Sequence, residues 1–127
     1  MRAVDTNVLL RLITRDDEKQ VAIAENFIAR GAWVSHLVLA ETIWVLSAVY
    51  QRPPNEVAEA IEMLLRQQQV TLQDEDVVFR ALEHYRRKPA LGFSDCLVLE
   101  IARKAGHLPL GTFDRELSKL EDVERLS

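Results

Sequence analysis

Cysteine is nearly missing from this sequence. Cys96 is the only one in 127 residues, so no intrachain disulfide can form and a reducing compartment suits the chain. Its neighbour Asp95 invites a nucleophile reading, but no histidine lies near it in sequence, and a lone thiol usually behaves as a small buried residue. Positive charge is the next scarcity: 16 Lys and Arg stand against 20 Asp and Glu. A broad basic face for nucleic acid normally inverts that ratio. Any polyanionic substrate must then be held by local basic residues or by bound cations. Long apolar runs are missing too. The stretch from Leu37 to Tyr50 is shorter than the ~20 residues of a membrane span, and Glu41 interrupts it. Asp5 breaks the N-terminus before any apolar signal region forms, and the chain reads as cytoplasmic with no membrane role. There is no internal repeat and no linker, so residues 1–127 are expected to form a single domain.

What is present is an alternation of strand and helix signals. Residues 2–5 read as a strand and 7–13 as a short helix. A longer helix follows, carried by Val21, Ala24, Phe27 and Ile28 and ended by Gly31. "AWVS" is a second strand, and His36 to Tyr50 an apolar helix. Pro53-Pro54 breaks the chain and seeds a helix to about Gln68. "QVTLQ" is extended, and Asp74 can cap a helix to Arg87. Ser94 can cap another from Asp95 to Ala105, closed by Gly106. "LPLGTF" is a strand, Asp114 opens a last short helix, and "VERL" closes the chain. This order predicts an α/β protein, a three-layer α/β/α arrangement around a central, mainly parallel twisted sheet.

Four carboxylates stand out against that frame. Glu41 is the only charged residue between His36 and Tyr50, and helical spacing sets it beside Leu37, Trp44, Val45 and Ala48, which predicts a buried acid. An isolated buried carboxylate is costly unless paired, neutralised or bound to a metal. Asp95 shares a helix side with Val98, Leu99 and Ala102, while Glu100, Arg103 and Lys104 mark the expected wet face. Asp5 and Asp114 each follow a strand. Either could be a plain N-cap, and Asp95 could be a first-turn acid complementing the helix dipole.

Taken together they point to one sheet edge, where open α/β sheets bind ligands. Several carboxylates in one cleft repel unless a cation holds them. Oxygen-only ligands favour Mg²⁺ or Mn²⁺, whereas His36, His84 and His107 are too scattered for zinc. Such ions most often serve phosphate chemistry.

Four stretches, "VDTNVLLR", "SHLVLAET", "FSDCLVLEIA" and "GTFDREL", in this order make the chain resemble PIN-domain ribonucleases of the VapC toxin type. The resemblance spans essentially the whole sequence. It implies a metal-dependent endoribonuclease that cuts RNA, acts as a homodimer and is silenced by a cognate antitoxin. It assigns the catalytic, metal-binding acids to Asp5, Glu41, Asp95 and Asp114, with Mg²⁺ or Mn²⁺ as cofactor. Thr6, Asn7 and Thr112 match supporting polar positions. Glu116 stands where the family commonly has Asp, one methylene longer, and could equally be a helix acid. Arg11, Arg15, Arg86, Arg87, Lys88 and Arg115 could contact the RNA backbone, although a basic helix end also explains "RRK". The apolar helices flanking Pro53-Pro54 could form a dimer or antitoxin groove.

Two other readings compete. A catalytically silent PIN-like module would bind RNA or a partner, but it would be marked by a missing acid, and all four are present. A haloacid-dehalogenase-like phosphatase needs a second Asp two residues after the first, where this chain has Asn7.

Overall fold

The computed structural model describes all of residues 1–127, in two compact units, Met1–Glu75 and Asp76–Ser127. The first contains β1 (Arg2–Ala3), α1 (Thr6–Thr14), α2 (Glu18–Ile28), β2 (Ala32–Val34), α3 (His36–Ala48), α4 (Pro54–Arg66) and β3 (Val70–Leu72). Its strands pair in parallel in the order β1-β2-β3, with Arg2 opposite Ala32 and Ala32 opposite Val70. Parallel neighbours need a crossover. The helix pairs α1–α2 and α3–α4 supply it, and Pro53-Pro54 makes the second pair possible by forcing the break between them.

Local chemistry fixes where these helices start. The side chains of Asp5, Asp17 and Ser35 accept from the backbone N–H of Val8, Gln20 and Val38 at 3.0–3.1 Å, satisfying donors that the first helical turn cannot. Val21, Ala24 and Ile28 of α2 face inward as the periodicity predicts. They join Leu9 and Leu10 of α1, Ile61 and Leu64 of α4, and Val34, Val70 and Leu72 of the sheet in the core.

α3 departs from expectation. The core takes the stripe Leu39, Thr42, Ile43 and Leu46, with the Thr42 hydroxyl satisfied by the Val38 carbonyl at 2.7 Å. Glu41 lies on the other side and is exposed, beside Leu37 and Trp44, which are 76% and 61% exposed. The helix is apolar nearly all round, but only one face of it packs. Glu41 therefore carries no burial cost, and that argument for its role fails.

The second unit holds α5 (Glu75–Arg87, whose first residue closes the first unit), α6 (Phe93–Ala105), β4 (Leu110–Thr112) and β5 (Val123–Arg125). β4 and β5 also pair in parallel, Leu110 opposite Val123. Every strand pairing is thus parallel, as predicted, with the strands bonded as a three-stranded and a two-stranded sheet. α6 starts at Phe93, with Gly92 at φ 78° as its cap, so Ser94 lies inside the helix rather than ahead of it. Gly106, at φ 82°, closes α6 in the left-handed conformation that glycine adopts without strain. The helix expected after Asp114 is a single 3₁₀ turn, Leu117–Lys119.

The faces of α6 also differ from the sequence reading. Phe93, Cys96, Leu97 and Glu100 form its inward stripe together with Leu99. Val98 faces solvent, and Asp95 is exposed with its carboxyl partly desolvated. Glu100 is 3% exposed. It is not on a wet face at all. Phe93 meets Tyr85 of α5 edge to face, ring centres 6.1 Å apart. Cys96 is fully buried, and burial, then the nearby Asp95 charge, pushes its thiol up to about 12. It is packing material, not a nucleophile.

Candidate active site

In the first unit Asp5 leaves the end of β1 in extended conformation and caps α1, its Oδ1 accepting from Val8 at 3.1 Å. It lines a shallow cavity of ≈ 380 Å³ with Asn7, Val8, Arg11, Gln20 and Ile23. Thr6 is the first residue of α1. Arg11 is already engaged. Its guanidinium donates to Gln20 Oε1 at 2.5 Å and Asp16 Oδ1 at 3.2 Å, with Tyr50 Oη at 3.5 Å. The Tyr50 contact first, and the Asp16 charge, hold its pKa above the ordinary value. Arg15 closes α1 and pairs with Glu25 at 3.2 Å. Glu41 projects from the exposed face of α3 and is not part of the Asp5 cavity.

In the second unit the structure brings Asp95 and Asp114 within electrostatic range of each other. Burial first, and then the Asp114 charge, raise the carboxyl of Asp95 above the usual carboxylate range. Partial desolvation and a neighbouring like charge each disfavour the ionised form. Asp114 is held firmly. Its N–H donates to Thr112 Oγ1 at 3.0 Å, and its Oδ1 accepts from the N–H of Glu116 and Leu117 at 2.8 and 3.1 Å. Thr112 thus supports the acid from the end of β4, and Oδ2 of Asp114 stays out of this turn.

Glu116 sits between two lysines, Lys88 and Lys119. Lys88 first, then Lys119, pull its carboxyl below the usual range. Lys88 is spent on that contact. Arg115, beside Asp114, is exposed, as are Arg86 and Arg87 at the end of α5. In neither unit do three or more His, Cys, Asp or Glu side chains stand close enough to hold a metal ion. Of the four acids singled out in the sequence, only Asp95 and Asp114 influence each other electrostatically.

One polar cluster escaped the sequence reading. Buried Glu100 accepts from Arg103 Nε at 3.2 Å and meets His84 Nε2 at 2.9 Å. Arg103 extends to Asp122 Oδ2 at 2.5 Å and to the Glu121 carbonyl. His84 and Glu100 come from different helices. The available signal was that position 100 continues the stripe of Phe93, Cys96 and Leu97 at helical spacing.

These features define a class. A family model for the PIN domain matches residues 2–123, nearly the whole chain, and the protein belongs to the PIN domain family. The expected α/β fold with parallel strands is the fold of that family. Among solved structures the chain is similar to VapC20 of Mycobacterium tuberculosis, a Sarcin-Ricin loop cleaving toxin, with 21% identity and a TM-score of 0.43 over 97% of each chain. No curated protein matches the sequence. No helix is long and apolar enough to cross a membrane.

Proposed function

We propose that this PIN domain is a metal-dependent endoribonuclease, the toxin of a toxin–antitoxin pair, with Asp5, Glu41, Asp95 and Asp114 as the ligands of Mg²⁺ or Mn²⁺. The observation that carries the reading is the PIN domain family match over residues 2–123; the electrostatic proximity of Asp95 and Asp114 supports the site. The donors are all oxygens, which suits a hard cation. The chemistry a bound cation supplies here is activation of a water and neutralisation of charge on the leaving oxygen.

The chain's own groups do the rest. Thr112 and the backbone N–H groups of Glu116 and Leu117 keep Asp114 in one orientation. Val8 does the same for Asp5. Arg115 and Arg87 are exposed cations suited to the RNA backbone, and Arg86 extends that set. Thr6 and Asn7 are assigned supporting roles beside Asp5. Arg11, Arg15 and Lys88 have acidic partners to give up before they meet phosphate. Glu116, held by two lysines, belongs to the support of the site rather than to its ligands. A homodimer and a cognate antitoxin complete the reading. The exposed Leu37 and Trp44 on α3 support a protein partner there.

The test is RNA cleavage by purified protein freed of any antitoxin. Cleavage with Mg²⁺ or Mn²⁺ that stops in EDTA is the expected result. Cleavage that persists in EDTA, or that needs Zn²⁺, refutes the metal assignment, and absence of cleavage on any RNA refutes the nuclease.

A further inference from the structure

Phe113 is 77% exposed, although burying a phenyl ring is one of the larger favourable terms open to a chain. It is not exposed because its backbone is loose. On one side the Thr112 carbonyl accepts from Leu126 N–H at 2.7 Å. On the other, Thr112 Oγ1 and the Asp114 carboxylate close the turn, and Leu117 anchors it, 4% exposed. A rigid frame presents the ring to solvent at the residue next to Asp114.

The charges around it limit how a polyanion could be gripped at this spot. Asp95 and Asp114 repel phosphate, and Lys88 and Lys119 are committed to Glu116. Arg115 is the cation adjoining Asp114 in sequence. A neutral π surface attracts a nucleobase without any of that charge, since every base has a face to stack. We propose that Phe113 is a positioning residue of the ribonuclease: an unpaired base stacks on its ring and brings the neighbouring phosphodiester to Asp114 and Asp95. This rests on the nuclease reading above. It predicts that part of the RNA affinity resists salt, because stacking releases no counterions.

The experiment compares wild type with Phe113→Ala, Phe113→Leu and Phe113→Trp, using a short single-stranded RNA that the wild type cleaves. Phe113→Ala and Phe113→Leu should raise KM about 10-fold, the scale of one lost base stack, with kcat changed far less. Phe113→Trp should restore KM. In EDTA, RNA should quench the fluorescence added by Phe113→Trp beyond the quench of Trp33 and Trp44 seen in wild type. Melting temperatures should agree across the set, because the ring packs on little. If Phe113→Ala melts early, Phe113→Leu carries the comparison. Wild-type KM in Phe113→Leu, or no added quench in Phe113→Trp, overturns the stacking role while leaving the nuclease intact. A wild type that neither binds nor cleaves RNA overturns both.

Discussion

Asp5 offers a way to separate scaffold from chemistry at a single residue. Its Oδ1 caps α1 through Val8 N–H at 3.1 Å, and caps of this kind contribute about 1 kcal/mol. Asp5→Ala should lose that amount. For a 127-residue chain a change of that size lowers the melting temperature by about 4 °C. Asp5→Asn should lose only a few tenths of a kcal/mol, because asparagine caps as well as aspartate. Activity should sort the variants differently. If Asp5 ligates the cation, both substitutions remove a charged oxygen donor, and cleavage should fall by about 100-fold or more, beyond the 10–100-fold typical of an outer-shell partner. Asp17 is the control, since it caps α2 through Gln20 N–H at 3.0 Å and has no assigned chemistry. Asp17→Ala should melt early and cleave normally. The assay pairs thermal melting in EDTA with RNA cleavage in Mg²⁺. Full cleavage by Asp5→Asn refutes the ligand role and leaves the cap. Unchanged melting in Asp5→Ala refutes the cap.

The remaining outcomes concern the second unit. Glu100→Gln should cost about 1–3 kcal/mol, because a buried carboxylate loses its charge-assisted contacts to Arg103 and His84; a denaturation midpoint equal to wild type refutes that. Cys96, fully buried and with its thiol pushed up to about 12, should react with a thiol reagent at pH 8 only once the chain is unfolded. Rapid labelling of the native protein would show that the thiol is accessible.

How much was legible in the sequence depends on whether one element or two decide a residue's environment. Val21, Ala24 and Ile28 were readable because helical spacing alone selects the inward face, and Gly106 because a left-handed close needs a residue without a Cβ. Alternation of strands and helices gave the parallel pairing. Glu41 was misread because α3 is apolar on both sides, so its composition cannot say which side packs; only its contacts with the rest of the first unit decide. Glu100 was misread for the opposite reason. Its charge outweighed a spacing that pointed inward, and its buried setting is completed by His84 from a different helix as well as by Arg103 on its own. Ser94 was a plausible cap, but Gly92 starts α6 earlier and places Asp95 at the third helical position. Of the four acids singled out in the sequence, the structure brings Asp95 and Asp114 within electrostatic range, and Thr112 accepts from the Asp114 N–H. The sequence did not show that Glu116 is held by Lys88 and Lys119, since that contact joins two segments across the fold of the second unit.

Capping and metal binding are often weighed as rival explanations for an aspartate after a strand. Here the bonds make them compatible. Asp5 and Asp114 each use Oδ1 for backbone N–H groups, and a carboxylate has a second oxygen to offer. For an acid that held a cation, as proposed, such a cap would do what an outer-shell hydrogen bond does in known metal sites and fix the orientation of the donor. Asp95 follows a different logic. It lies inside α6, beyond the reach of a capping role, and burial together with the Asp114 charge disfavours its ionised form. On the proposed reading, a cation in the second unit would take the Asp114 oxygen left free by its turn and offset the like charge that Asp95 meets.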